Sequence, residues 1–251
     1  MIVSHEHKFI FVKTRKTAGT SIEISLSRYC GKNDIISPIT LADEPLRGTF
    51  GVSAQNYLSD GSHKNSGFTN FLRVNALKLA SKIELWRPRT IPHRIRKGLS
   101  RNMPPPEIQG KGFYNHMPAQ EIVDLIGERT WNDYFKFCIE REPISKVVSD
   151  YHYRAADEKS FDQYLLDGPL PTDFEKYSLN GEIAVDKIGR FENLDQDLKE
   201  IGDKIGIPFY EWLPRAKGGS KKSTEKVELT SNQKDEVRRL FAREYQAIGW
   251  E

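Results

Sequence analysis

The sequence predicts an α/β chain in three layers, a mainly parallel sheet with helices on both faces. Three observations point there. A short apolar, β-rich run at residues 8–13 passes through a polar loop into Ile22, Leu26 and Tyr29, which recur at helical spacing. A second run, 134–140, meets Pro143 where a helix would start, and Ile144, Val147, Val148 and Tyr151 then fall on one face. A third run, 185–191, leads into the stripe Leu194, Leu198, Ile201 and Ile205. Strands that alternate with helices imply parallel neighbours covered on both sides.

Taken in order, the first strand is short and apolar, and the loop after it, residues 14–21, is polar and contains Gly19. From 33 to 112 the pattern weakens into turn-rich stretches around one plausible helix, 71–85, and reads as an insertion in a single domain spanning 1–251. Residues 118–126 form a helix, 134–140 a strand, and Pro143 opens the next helix. Asn193 is placed to cap the helix that follows the third strand and ends before Pro208. The last helix begins near Thr230 or Ser231 and carries Val237, Leu240, Phe241 and Ile248 inward.

Composition excludes several classes. With 38 Lys+Arg against 35 Asp+Glu, the net charge of +3 is too small to recruit nucleic acid by bulk charge. No apolar run approaches the ~18–20 residues that cross a bilayer, and the first residues lack the pattern of a secretory signal, so a cytoplasmic protein is expected. Cys30 and Cys138, without a CxxC, supply neither a disulfide framework nor a cysteine zinc site. No HxxH or HExxH occurs, and no metal is expected. Between 68 and 102 nine Lys/Arg face the single acid Glu84, so the mild global charge hides a basic segment. That segment reads as a solvated flap, or as a contact for an acidic glycan or a membrane surface through residues 73–101.

Two segments carry chemistry. Residues 14–21 lie between a buried strand and a helix, where loop amides and the open N–H groups of the first turn converge on one point that attracts anions. Gly19 permits close backbone approach, Thr17, Thr20 and Ser21 offer hydroxyls, and Arg15 and Lys16 add charge around Ala18. The loop lacks the Lys after Gly19 that a GxxxxGK[ST] kinase loop requires. An ordinary polar turn is the alternative. In the second segment, Arg141 follows a strand directly and Ser149 lies about two helical turns on, a planar fork of donors and a hydroxyl suited to another phosphate of the same ligand. An arginine paired with Glu140 or Glu142 is the alternative there.

Together these segments resemble the sulfotransferases that use 3′-phosphoadenosine 5′-phosphosulfate (PAPS), in particular the carbohydrate and bacterial branch. Residues 11–22, FVKTRKTAGTSI, are similar to that family's PKTGGTS motif, which binds the 5′-phosphosulfate. Residues 137–151, FCIEREPISKVVSDY, resemble its 3′-phosphate motif RDPxxRxxSxY, with Lys146 in the slot of the second arginine. A third likeness is Gly189 to Leu194 followed by Asp197 and Leu198. Arg15 and Ala18 depart from the usual proline and glycine, and residues 215–223 are basic and flexible but unlike the adenine-binding motif of the cytosolic branch.

The resemblance implies a P-loop nucleotide-hydrolase-like sulfotransferase fold, PAPS as donor, and a hydroxyl of a carbohydrate or glycolipid as acceptor. It gives Lys16 the bridging oxygen, Thr17, Gly19, Thr20 and Ser21 the phosphate, and Arg141 with Ser149 the 3′-phosphate. His116 sits in a segment similar to the family's HxPA and is the expected general base; a structural histidine beside Pro118 is its alternative, and His152 a weaker rival. Tyr57, Trp86, Tyr114, Trp131 and Tyr177 are candidates for stacking on sugars, with core packing as the other reading. A metal-dependent nucleotide kinase or hydrolase and a non-catalytic binder of anionic glycans are the competing functions.

Overall fold

Residues 1–4 and 9–11 are apolar or small and buried without alternation, as strands covered on both faces require, and the polar link 5–8 between them is exposed or half-buried. Ile2–Ser4 (β1) and Phe9–Phe11 (β2) pair antiparallel, with Ile2 opposite Phe11 and Ser4 opposite Phe9. The link of residues 5–8, with Lys8 at φ 51°, is too short for anything but a hairpin. The computed structural model describes residues 1–40, 43–58, 112–156, 158–214 and 227–250. Ile35–Ile36 (β3) extends the sheet antiparallel to β1. Phe135–Glu140 (β4) lies parallel to β2, and Lys187–Arg190 (β7) parallel to β4, giving the order β3-β1-β2-β4-β7, while Ser178–Leu179 (β5) and Glu182–Ile183 (β6) pair antiparallel in a separate two-stranded sheet.

The sheet is therefore mixed, not mainly parallel. The sequence pattern predicts a first strand only from residue 8 and an insertion over 33–112. The hairpin partner β1 lies before that predicted strand, and the edge strand β3 within that insertion. Both strands are two or three residues long, too short to show a period.

Period-two alternation sends the side chains of each strand to two cores. Ile10, Val12 and Cys138 face Ile122, Trp131 and Tyr177, behind helices Ala119–Ile126 (α3) and Glu128–Asp133 (α4). Phe9, Phe11, Phe137 and Ile139 face Ile22 and Leu26 of Gly19–Ser27 (α1) and Leu198, Ile201 and Ile205 of Leu194–Ile205 (α7). A third cluster joins Val147 and Tyr151 of Pro143–Arg154 (α5), Phe161 and Tyr164 of Phe161–Asp167 (α6), Val237 of Ser231–Leu240 (α8), and Phe241. Helices thus flank the five-stranded sheet.

α1 is buried along its whole length, its Glu23 included. Lys13 Nζ at 2.7 Å and Arg47 of Glu44–Gly48 (α2) at 3.1 Å compensate that carboxylate. Burial would raise the Glu23 carboxyl, but Lys13, the Met1 ammonium and Arg47 bring it to about 2. Residues 44–47, expected in the insertion, thereby belong to the core around α1.

The chain leaves at Leu58 and returns at Gly112 beside it. The two form an antiparallel bridge, and the Phe113 amide donates to the Tyr57 carbonyl at 2.6 Å. The expected helix 71–85, the basic residues 73–101 and the loop 215–223 lie outside the described residues, as does Trp86. Asn193 occupies the N-cap of α7 but makes no side-chain cap bond; Asp197 Oδ2 accepts from the Arg190 amide instead. The expected last helix is two: α8, whose N-cap Thr230 forms a capping box with Gln233, and Ala242–Ile248 (α9), separated at the fully buried Phe241. A capping box of Ser160 with Gln163 also starts α6, which the sequence reading passed over. Among the described residues no helix is long and apolar enough to cross a membrane.

Candidate active site

Because β2, β4 and β7 are parallel neighbours, their carboxyl ends emerge along one edge, where ligands of open α/β sheets settle. The segment after β2 is residues 12–18, the segment after β4 begins at Arg141, and the segment after β7 brings Phe191. A cleft of about 880 Å³ opens there, lined by residues 13–21 together with His116, Arg141, Ser149, Tyr153, Lys176 and Phe191 among others.

The loop of residues 14–18 is built by strain and by a missing side chain. Lys16 and Ala18 both adopt left-handed backbone, φ 64° and 59°. Ala18 is the N-cap of α1 and supplies no side-chain acceptor; among the described residues the first amide to reach a carbonyl is that of Ile22, on Ala18 O at 3.2 Å. The earlier amides of the turn are left to the cleft. Gly19 carries no side chain for a specific reason: a Cβ there would lie 2.9 Å from Lys13 Cγ, and Glu23 holds that lysine. Thr20 and Ser21 line the cleft. Thr17 turns its hydroxyl inward to within 2.9 Å of the Thr14 hydroxyl, and Thr14 in turn donates to the Ile139 carbonyl of β4.

A left-handed alanine costs about 1–2 kcal/mol that glycine does not pay, against roughly 0.5–1 kcal/mol of extra chain entropy for glycine. Ala18→Gly is therefore expected to stabilise the fold by up to about 1 kcal/mol. A rise in Tm of about 2–4 °C in a thermal scan checks this, and a fall refutes it.

Arg15, expected to add charge beside the anion, commits its guanidinium elsewhere. Its Nε donates to Asp173 Oδ1 at 2.8 Å, its amide to Asp173 Oδ2 at 2.5 Å, and Nη2 to the Thr172 carbonyl at 2.5 Å. Lys16 reaches the other way, its Nζ 4.2 Å from the centre of the Tyr153 ring. Arg141 stacks its guanidinium over Phe191 at 4.4 Å and points Nη1 at the Lys16 carbonyl, 3.5 Å away. Its Nε is buried without a partner among the described residues, and burial lowers its pKa. Ser149 faces the cleft from α5. Neither glutamate pairs with the Arg141 guanidinium: Glu142 caps α5 through the Ile144 and Ser145 amides, and Glu140 Oε1 takes the Arg141 amide and Lys146 Nζ.

His116, in left-handed backbone at φ 63°, places Nδ1 3.1 Å from the Lys13 carbonyl. A carbonyl only accepts, so Nδ1 carries the hydrogen and Nε2 keeps its lone pair. Burial, then the Lys13 charge, hold the imidazole well below its ordinary pKa, with Asp173 opposing, so the ring is neutral at pH 7. His152 does not line the cleft, and Glu44 spends its carboxylate on the Ile39 amide and Arg47. Tyr114 lines the cleft, whereas Trp131 and Tyr177 are core residues.

Three contributors escaped the sequence reading. Tyr153 had a legible signal, since it falls one turn after Ser149 on α5. Phe191 ends the run 185–191, and nothing in its residue type or spacing marks it for the cleft. Asp173 is the N-cap of the 3₁₀ turn Phe174–Lys176 and belongs to no motif. Among the described residues no group of three or more His, Cys, Asp or Glu side chains is placed to hold a metal ion.

This geometry defines a class: an α/β chain whose strand-to-helix loop and a second, arginine-bearing segment line one cleft at the same sheet edge. The sequence profile of the sulfotransferase family matches residues 1–247, and the chain belongs to that family. It is 34% identical over 104 residues to an uncharacterized protein of Archaeoglobus fulgidus, a match covering 37% of this chain and 84% of that one. No solved structure matches it.

Proposed function

We propose that this sulfotransferase moves a sulfuryl group from PAPS to a hydroxyl of a carbohydrate or glycolipid. One observation carries the reading: the Lys16–Ser21 loop and the Arg141/Ser149 pair, 120 residues apart in sequence, line one cleft. A nucleotide phosphorylated at both ends suits two such sites. The open amides at the start of α1 fit its 5′-phosphosulfate, and the partnerless buried Nε of Arg141 fits a 3′-phosphate oxygen. The carboxyl-edge position and the loop geometry support a P-loop-like fold. The meeting of Leu58 with Gly112 supports one domain with an inserted excursion. The free thiols of Cys30 and Cys138 suit a reducing, cytoplasmic setting.

In this reading the acceptor hydroxyl attacks sulfur in line while the bridging oxygen departs on the nucleotide phosphate. By analogy with phosphoryl transfer, catalysis rests on positioning and fixed charge. Lys16 faces the departing oxygen, the α1 amides with Thr20 and Ser21 hold the phosphate, and His116 Nε2 accepts the acceptor proton. A thermal-shift comparison of adenosine 3′,5′-bisphosphate with 5′-AMP, ADP and magnesium-ATP tests the donor class. The bisphosphate is expected to raise Tm most; equal shifts, or the largest with magnesium-ATP, refute the reading in favour of a nucleotide kinase or hydrolase.

A further inference from the structure

Asp173 belongs to neither anion-binding segment, yet it touches both. Its carboxylate is fully buried. Oδ2 accepts from the Arg15 amide at 2.5 Å and lies 2.9 Å from Lys146 Nζ; Oδ1 accepts from Arg15 Nε at 2.8 Å and lies 3.5 Å from Lys176 Nζ. Lys146, itself buried on α5, reaches onward to Glu140 Oε1 at 2.6 Å, and that oxygen accepts from the Arg141 amide at 2.8 Å. A continuous path of ion pairs therefore runs from Arg15, next to Lys16, through Asp173 and Lys146 to Glu140, which fixes the Arg141 backbone by accepting its amide.

We propose that Asp173 is a positioning residue that sets the spacing between the Lys16 loop and Arg141, and so between the two phosphate sites. The proposal rests on reading the cleft as the site of a bisphosphorylated nucleotide. Three physical points carry it. A buried carboxylate is costly unless its oxygens are paired, so withdrawing Arg15 or Lys146 leaves an uncompensated charge, and the network tolerates one arrangement. Burial alone would raise the Asp173 carboxyl, but Lys146, Arg15 and Lys176 hold it far below the usual carboxylate range, so it stays ionised. The strut is also anchored from behind: the amides of Asp173 and Phe174 donate to Oε1 of the buried Glu244 on α9, at 3.1 and 3.3 Å. A carboxylate so enclosed acts on an anionic ligand only through the cations it holds.

A ligand gripped at both ends gains affinity over a half-ligand only if the two sites keep the right separation. The readout is therefore a ratio, the Kd of 5′-AMP over that of adenosine 3′,5′-bisphosphate, measured by titration calorimetry. Asp173→Asn removes the charge and keeps the shape. It is expected to shrink the ratio by about tenfold or more while 5′-AMP affinity stays within about threefold, since misplacement of an ångström costs up to about 10²-fold. A purely structural role would lower the folded fraction and leave the ratio unchanged, and that result overturns the proposal. Arg15→Gln, at a side chain 27% exposed, cuts the strut at its loop end with less risk to folding. Its ratio is expected to fall several-fold, and an unchanged ratio overturns the proposal through this variant as well. A wild type without preference for the bisphosphate refutes the nucleotide reading instead, and removes the ground of the proposal with it.

Discussion

Lys16→Ala is expected to lower kcat for sulfuryl transfer by about 10²-fold or more, equivalent to about 2.7 kcal/mol or more of lost transition-state stabilisation. The donor KM is expected to change far less. The asymmetry follows from where charge develops. Under the proposed reading, the amides of the first turn of α1 with Thr20 and Ser21 hold the phosphosulfate already in the ground state, whereas the bridging oxygen becomes strongly negative only as the bond to sulfur breaks. The left-handed backbone at φ 64° and the Tyr153 ring 4.2 Å from Nζ show a side chain directed into the cleft, not out to solvent. Alanine tolerates that backbone no better and no worse than lysine, so the fold is spared. Lys16→Arg restores only part of the rate, because a planar delocalised fork does not replace a compact ammonium. The check is steady-state kinetics beside a bisphosphate thermal shift; a kcat within threefold of wild type, with binding intact, refutes the role.

His116→Gln is expected to cost about 10²- to 10⁴-fold in kcat, the range for a lost general base. Glutamine can still donate to the Lys13 carbonyl, which separates the loss of a proton acceptor from loss of the loop's shape. The pH profile gives a second test with a definite sign. In the proposed base role the neutral ring is the active form, and burial with the Lys13 charge lowers its pKa well below 6.5. Activity is therefore retained as pH falls through 6.5 and is lost only further down, as the folded ring protonates. Stability behaves differently: the unfolded chain takes up the proton near 6.5 while the folded one does not, so stability begins to fall at that pH, before activity does. In His116→Gln the acid limb disappears. A limb near 7 that survives the substitution assigns it to Glu140, whose carboxyl burial raises to about 7, and refutes His116 as its source.

Much of this was legible because local signals coincided with tertiary roles. The strand-to-helix junctions at residues 8–29, 134–151 and 185–205 were readable, since each joins a period-two run to a period-3.6 run through polar or proline-bearing residues, and the structure has β2–α1, β4–α5 and β7–α7 there. β1 and β3 were not, because two or three apolar residues carry no period, and their strand character comes from pairing with β2 and with each other. The break at Phe241 is likewise decided by burial in the third cluster, not by a breaker residue. In the cleft, Lys16, Gly19, Thr20, Ser21, Arg141 and Ser149 were found by residue type and spacing. Arg15 lines the cleft as its position in the loop implies, but its ion pair with Asp173 is not legible in the sequence, because that carboxylate lies 158 residues away.

The amino-acid sequence alone determined that this is an α/β protein with two segments of sulfotransferase type, because loop composition, helix starts and apolar periods are short-range properties. Only the tertiary structure decided that those segments share one cleft, that Lys16 and Arg15 part company, and that Asp173 joins Arg15 to Lys146. These are consequences of parallel strand order and of a buried carboxylate that must collect its counter-charges from wherever in the chain they come.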